Sequence, residues 1–413
     1  MTNTLTPPSE EQTPPTYPMA RTPICPFNPP PDLARLREDQ PISRVRIWNG
    51  NQGWLITRYN DVRAVLADPR FSADPDRSGY LPVTAASQAR RQRSKSLISM
   101  DNPEHDVMRR MLTRDFMIKR VEALRPRIQQ IVDDLIDQML AAGPPTDLVS
   151  AFALPVPSLV ICELLGVPYA DHEFFQRCSR VLINIHASPE TSLTVSGELR
   201  TYLSDLVRRK QSEAEDTTVL SRLAKNQVAN GELTLDEATD TALLLLIAGH
   251  ETTANMIALG TLALLEHPKQ LAELRDSDDP ALVRSTVEEM LRYLTIVHSG
   301  RRRVAMEDVE VGGQLIRAGE GIIVAGEAAN RDAAAFPDSP NDLDIHRDAR
   351  HHVAFGYGIH QCLGQPLARV ELQVVYNTLY RRIPTLRLAG DLADVRFKDD
   401  MIVYGVHELA VTW

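Results

Sequence analysis

Aromatic residues are scarce, 5% of the 413-residue chain, and Leu, Ala and Val dominate the apolar set. That mixture favours helices packed on helices over a sheet sandwich. Positive charge is also in deficit: 45 Lys and Arg stand against 55 Asp and Glu, a formal net charge of −10. Wholesale nucleic-acid binding is therefore not expected, and any basic partner surface has to be local. The four cysteines, Cys25, Cys162, Cys178 and Cys362, show no paired spacing, which argues against a disulfide framework and suits a reducing cytoplasm. No uninterrupted apolar run reaches transmembrane length, and the richest, Ala242 to Ala248, is far too short. The N-terminus lacks a basic-then-apolar leader. A cytoplasmic protein with no membrane association is the expectation.

Apolar residues, 43% of the total, suffice for a substantial core, and 413 residues fill two or three average domains or one large one. Ten prolines fall within the first 31 residues. Residues 1–24 therefore read as a flexible or extended lead-in to a single domain over 25–413. Ser43 to Tyr59 reads as a hairpin turning at Asn49-Gly50, followed by a short helix from Asn60 or Asp61 to Leu66. Residues 71–97 are polar and basic without periodicity and read as a long loop. Helical patterns follow over about 104–117, 121–141, 155–165, 171–185 and 191–212. The longest, Glu232 to His267, offers Thr234 and Asp236 as capping candidates, and another helix covers Ala281 to Tyr293. Val304–Val324 holds short β-type segments, 326–361 is largely irregular, a helix runs from about Leu363 to Arg382, and Val403–Trp413 reads as strand. The expected fold is mainly α, one large helical domain with small antiparallel sheets.

Two segments carry chemistry. In Phe355-Gly-Tyr-Gly-Ile-His-Gln-Cys-Leu-Gly364, Gly356, Gly358 and Gly364 surround Cys362, and a helix follows at once. Glycines let backbone approach a flat group closely, and unpaired N–H groups at a helix start favour a thiolate. A thiolate suits a soft metal centre. The alternatives are a buried structural cysteine after a glycine-rich turn, or zinc held by His351, His352, His360 and Cys362, whose spacing fits no paired ligand pattern. The second segment, Leu243 to Ala254, is an apolar helix interrupted by Gly249, His250, Glu251, Thr252 and Thr253. A helix built only for packing would avoid that cluster. His250-Glu251 is not the start of a zinc-protease motif, because position 254 is Ala.

The spacing of Phe355, Gly358, Cys362 and Gly364 resembles the haem-binding loop of the cytochrome P-450 family. Ala248-Gly249-His-Glu251-Thr252-Thr resembles that family's oxygen-binding helix, and Glu289-Met-Leu-Arg292 its Glu-x-x-Arg element. The likeness runs from about Cys25 to Trp413 and leans toward soluble bacterial, broad-specificity actinobacterial members. Gln361 departs from the apolar residue common before the cysteine. The resemblance implies a haem-thiolate monooxygenase with haem b, dioxygen as co-substrate, and Cys362 as the iron ligand. It implies Phe355, Gly356, Ala248 and Gly249 against the haem, and Glu251 with Thr252 as the acid–alcohol pair for protons. It implies His105, Arg109, Arg303 and His360 as propionate partners, with the register of Arg301-Arg302-Arg303 open. Glu289, Arg292 and Arg347 would brace the cysteine loop without touching the chemistry. Substrate contacts would come from Ile98, Leu244, Ile247, Ala248, Ile296, Val297 and Ile402, lining a pocket for a bulky apolar molecule such as a polyketide, macrolide, statin, secosteroid or xenobiotic. Electrons would come from NAD(P)H through a ferredoxin reductase and a ferredoxin, docking near Arg110, Arg114 and Arg350, on a monomer. Nitric oxide reduction, peroxide use and haem sensing are competing activities, and Glu251-Thr252 argues against them.

Overall fold

The computed structural model describes residues 13–22, 25–91, 96–214 and 216–413. Its axis is the 31-residue helix Leu235–Leu265, here the central helix. Thr234 caps it: Glu237 N donates to Thr234 Oγ1 at 3.1 Å, and Thr234 N donates to Glu237 Oε2 at 2.8 Å. The capping partner is thus Glu237, with Asp236 outside the box, because a side chain three residues on reaches back to the cap. By length and composition this helix could span a bilayer, unlike the short run read from the sequence, yet two-thirds of its most apolar stretch is buried inside the fold. Leu245, Leu246, Ile257, Leu259, Leu262 and Leu264 anchor the main apolar cluster.

Helices Pro155–Leu165, Pro189–Ser212 and Gln365–Arg382 pack around it. Several begin with Pro in the first turn, where the missing N–H costs nothing, as in Pro268–Asp276 and Pro280–Leu294. The former follows the central helix after a two-residue break and escaped the periodicity. The expected helix over 104–117 ends at Thr113, and that over 121–141 occupies Arg125–Ala142.

Among the described residues ten short strands make three sheets. They are β1 (Ile42–Arg46), β2 (Gln52–Ile56), β3 (Phe71–Ser72), β4 (Thr146–Asp147), β5 (Arg301–Ala305), β6 (Val309–Val311), β7 (Gln314–Ile316), β8 (Gly321–Val324), β9 (Arg387–Leu388) and β10 (Ala410–Thr412). The largest sheet has the order β1-β2-β8-β5-β3. It is not wholly antiparallel as expected, for β2 and β8 run parallel with Trp54 opposite Ile322. Side chains alternate across it: Trp54, Ile56, Ile322 and Val324 face one small core, and Leu55 and Ile323 the other.

Residues 13–22, within the lead-in expected to be flexible or extended, form an extended strap: Tyr17 N donates to Arg46 O at 2.8 Å, and the Tyr17 ring is buried in the second small core. Proline-rich composition disfavours helix but leaves a strap free to pair with a sheet edge. Residues 1–12, 23 and 24, part of the same expectation, lie outside the described residues. Within 71–97, expected as a loop, Ala85–Arg91 forms a helix whose Arg90 Nη2 donates to Leu182 O at 3.0 Å. Tertiary anchoring supplies what periodicity lacks there.

Candidate active site

Most of the central helix is buried all round, but one face opens midway. Leu244, Ile247, Gly249 and Thr252 are half-buried and Ala248 is exposed, while Leu245, Leu246, His250, Glu251 and Thr253 are buried. Positions 244, 248 and 252 stand one turn apart and so form a single stripe. Thr252 Oγ1 donates to Ala248 O at 2.6 Å. The opening is not made by Gly249. A Cβ there would lie 2.5 Å from Ile161 Cγ1, so the glycine lets helix Pro155–Leu165 approach on its own side.

The cysteine loop is held by its backbone. Cys362 N donates to Phe355 O at 2.9 Å, Gly356 N to Val353 O at 2.9 Å. Gly356 and Gly358 have φ of +76° and +72°, and a Cβ on Gly358 would collide with the Leu66 carbonyl. Both positions therefore require glycine. The loop feeds helix Gln365–Arg382, whose Tyr376 hydroxyl donates to Met256 O on the central helix at 2.6 Å. Burial pushes the pKa of the Cys362 thiol up, more than the Gly364 N–H and the Arg301, Arg109 and Arg369 guanidiniums pull it down. A metal cation in place of the proton would reverse that.

Beside the loop Arg109, Arg301 and Arg303 gather around His105 and His360, with Asp106 at the edge of the group, its Oδ1 3.5 Å from His105 Nδ1. Arg109 Nη2 donates to Gln361 O at 2.7 Å, and the His105 and His360 rings lie 4.3 Å apart. Burial, then Arg303, His105 and Arg109, press the His360 pKa down to about 3, and His105 is lowered by burial and by Arg109 and Arg303. His105 is fully buried, and its Nε2 has no hydrogen-bond partner. The register left open by Arg301-Arg302-Arg303 resolves as an alternation. Arg301 Nη2 donates to Ala354 O in the cysteine loop at 2.6 Å, with Nη1 buried and unpaired. Arg303 faces the histidines, while Arg302 turns the other way and donates to Leu81 O.

Behind the loop, Glu289 takes Arg292 Nε and Nη2 at 2.7 Å each, both residues fully buried. Arg347 Nε lies 3.4 Å from Glu289 Oε1 and its Nη1 donates to Pro337 O at 2.7 Å. Arg292 Nη1 also holds Asn330 O, and Asn330 Oδ1 accepts from Val353 N at 2.8 Å, so the brace reaches the cysteine loop. The histidines considered for zinc are engaged elsewhere: His351 stacks on Phe336, and His352 Nε2 sits 3.3 Å from Glu288. Among the described residues no three His, Cys, Asp or Glu side chains converge on a metal position.

A family model, Cytochrome P-450, matches residues 39–383. The chain belongs to the cytochrome P-450 family. Cytochrome P-450-SU2 of Streptomyces griseolus is 53% identical over 398 residues, covering 96% of this chain and 97% of that one. The crystal structure of GfsF superposes with a TM-score of 0.90 at 53% identity, covering 97% and 100% of the two chains. A mycinamicin VIII methyl hydroxylase, MycCI from Micromonospora griseorubida, solved with mycinamicin VIII bound, gives 0.90 at 42% identity over 97% and 100%. This P-450 is accordingly a haem-thiolate monooxygenase of the actinobacterial type.

Haem fits the residues present. The Arg109, Arg301 and Arg303 guanidiniums, with Arg301 Nη1 and His105 Nε2 buried and unpaired, suit its carboxylates, and the half-buried Cys362 sulfur suits its iron. The remaining expected residues scatter more widely. Val297 and Ile402 are half-buried, Ile98 is 56% exposed, and Ile296 is buried with its carbonyl accepting Tyr404 N at 2.8 Å. Of the expected docking cations, Arg110 and Arg114 are exposed, but Arg350 is tied to Asp348 by two contacts of 2.8 Å. Sequence reasoning missed Arg301, which strand alternation from Arg303 predicts, Asn255, which stands one helical turn after Glu251, and Lys398, which no local pattern connects to either.

Proposed function

We propose that this P-450 binds haem b with Cys362 as its sulfur ligand and hydroxylates bulky, largely apolar small molecules of the macrolide and polyketide kind. When bound, the haem supplies dioxygen activation and C–H oxidation. His105, Arg109, Arg303 and His360 hold its carboxylates, and Arg301 adds a fifth donor. The observation that supports the substrate class is the open stripe of Leu244, Ile247 and Ala248 in an otherwise buried helix, with Val297 and Ile402 also half-open. Apolar walls with few polar groups orient a large substrate by shape. The macrolide bound to MycCI is of this chemistry.

Thr252 does the proton handling at the open face, and Glu251 backs it from the buried side. The Thr252 hydroxyl spends its proton on Ala248 O, which leaves its lone pairs free to accept and lets it rotate to donate. Electrons arrive from NAD(P)H by way of a reductase and an acidic ferredoxin. A surface cleft of about 310 Å³ lined by Ile118, Gln365, Pro366 and Arg369 adjoins the start of the helix after Cys362. Ile118 beside it is 70% exposed, and Arg110 and Arg114 supply nearby positive charge. Titrating the ferric protein with a panel of macrolides, terpenoids, secosteroids and small aromatics tests the substrate class. The macrolides and similar ring systems are expected to shift the iron spin state at micromolar concentration. A response confined to small aromatics would overturn the proposal.

A further inference from the structure

His250 is fully buried in the middle of the central helix, where a histidine has no packing advantage over an apolar residue. Its Nδ1 lies 2.6 Å from Leu246 O. A carbonyl accepts only, so Nδ1 carries a hydrogen. The other nitrogen, Nε2, has no hydrogen-bond partner and points at Glu251 Oε1, 3.5 Å away. With Nε2 bare and Glu251 ionised, two acceptors would face each other in a buried site, which is costly. A proton between them removes the conflict, whether as imidazolium with carboxylate or as neutral ring with carboxylic acid.

We propose that His250 and Glu251 act as one proton-holding pair, which releases its shared proton from Glu251 toward Thr252 and regains it from solvent. The inference rests on reading Glu251 and Thr252 as the proton-handling residues. Before release the pair is neutral. Afterwards Nδ1–H and the ionised Glu251 remain, the pair is one unit more negative, and one proton from water restores it. No electron moves and no other bond changes.

The groups around the pair suit that charge change. Lys398 and Arg180 face Glu251 electrostatically, and Lys398 Nζ donates to Asn255 Oδ1 at 2.9 Å, one turn below Glu251. Asn255 Nδ2 in turn donates to Glu251 O at 2.7 Å. Burial works to raise the Glu251 carboxyl, and His250, Lys398 and Arg180 outweigh it, so it is lowered. Behind Lys398 stand Asp147 and Asp400, and Asp400 Oδ1 pairs with His407 Nε2 at 2.8 Å, a partly exposed contact that opens the seam to solvent. Helix His172–Ile183 closes the other side with the Phe175 ring, 5.6 Å from the imidazole. His250 acts through Glu251 and is a positioning residue.

The test is nitrogen NMR of histidine-labelled holoprotein in the diamagnetic ferrous carbon-monoxide form, with infrared spectra of the same samples. Glu251→Gln and His250→Gln assign the signals. At neutral pH the wild type is expected to show either one ring with both nitrogens protonated, absent in His250→Gln, or a carboxylic-acid band absent in Glu251→Gln. A neutral ring with bare Nε2 beside an ionised Glu251 would overturn the proposal without touching the role of Thr252. In turnover, His250→Gln should cut product formed per electron pair roughly tenfold, below the 10²–10⁴ of a lost proton donor. A folded, haem-loaded His250→Gln protein with unchanged coupling would equally overturn it.

Discussion

Replacing Glu289 by Gln tests the brace behind the cysteine loop. Glu289 Oε2 accepts Arg292 Nε at 2.7 Å, while Oε1 accepts Arg292 Nη2 at 2.7 Å and Asp344 N at 3.0 Å. An amide keeps one oxygen and turns the other into a donor. Its better orientation gives up the Oε2 contact and sets N–H against N–H. One charge-assisted bond, worth about 1.5–3 kcal/mol, is lost, and the buried Arg292 guanidinium loses its counter-charge. Together these approach the roughly 3–5 kcal/mol of a broken buried pair, a large share of a total stability of about 5–15 kcal/mol. At the entropy of unfolding of a chain this long, the midpoint falls by about 5 °C. Calorimetry with simultaneous haem absorbance reads both unfolding and cofactor loss. Glu163→Gln, which breaks the exposed pair with Arg127, is the control and should cost under about 1 kcal/mol. Equal melting of the two variants would refute the reasoning.

Thr252→Ala should leave haem binding and NAD(P)H consumption in place while product per NAD(P)H falls roughly tenfold or more; coupling at the wild-type level would remove the proton-handling role. Burial works to raise the Glu288 carboxyl, but His352 and Arg369, the latter donating at 2.6 and 3.0 Å, hold it down at about 2. Its folded value lies below the unfolded one near 4.3, so its stabilisation is present above about pH 4.5 and lost as pH falls through about 2. Glu288→Gln should therefore flatten the acid limb of a stability–pH curve by about 2–3 kcal/mol, and an unchanged slope between those values would contradict the pairing. Reversing charge at Arg110 and Arg114 together should slow ferredoxin-driven reduction and weaken its salt dependence, with dithionite reduction unaffected. Stopped-flow rates identical to wild type would place the docking face elsewhere.

What the sequence made legible was local. The central helix showed through its cap and its polar interruption, and the cysteine loop through glycines that positive φ and a crowded backbone require at Gly356 and Gly358. The stripe of Leu244, Ala248 and Thr252 follows from helical period alone. Contacts made by distant segments were not legible. Tyr17 pairs with β1 because a proline-rich strap finds a sheet edge, and Ala85–Arg91 is a helix because Arg90 reaches another helix. Lys398 joins Asn255 across 143 residues. At Gly249, packing against Ile161 accounts for a glycine that the motif attached to the cofactor.

The most direct test of the account is the absorption spectrum of the purified, reduced protein under carbon monoxide. Ligation by the Cys362 thiolate predicts the strongly red-shifted Soret band of thiolate-bound haem, lost when Cys362 is replaced by Ser. A band typical of histidine-ligated or neutral-thiol haem in the wild type, or no haem signal after reconstitution, would contradict it.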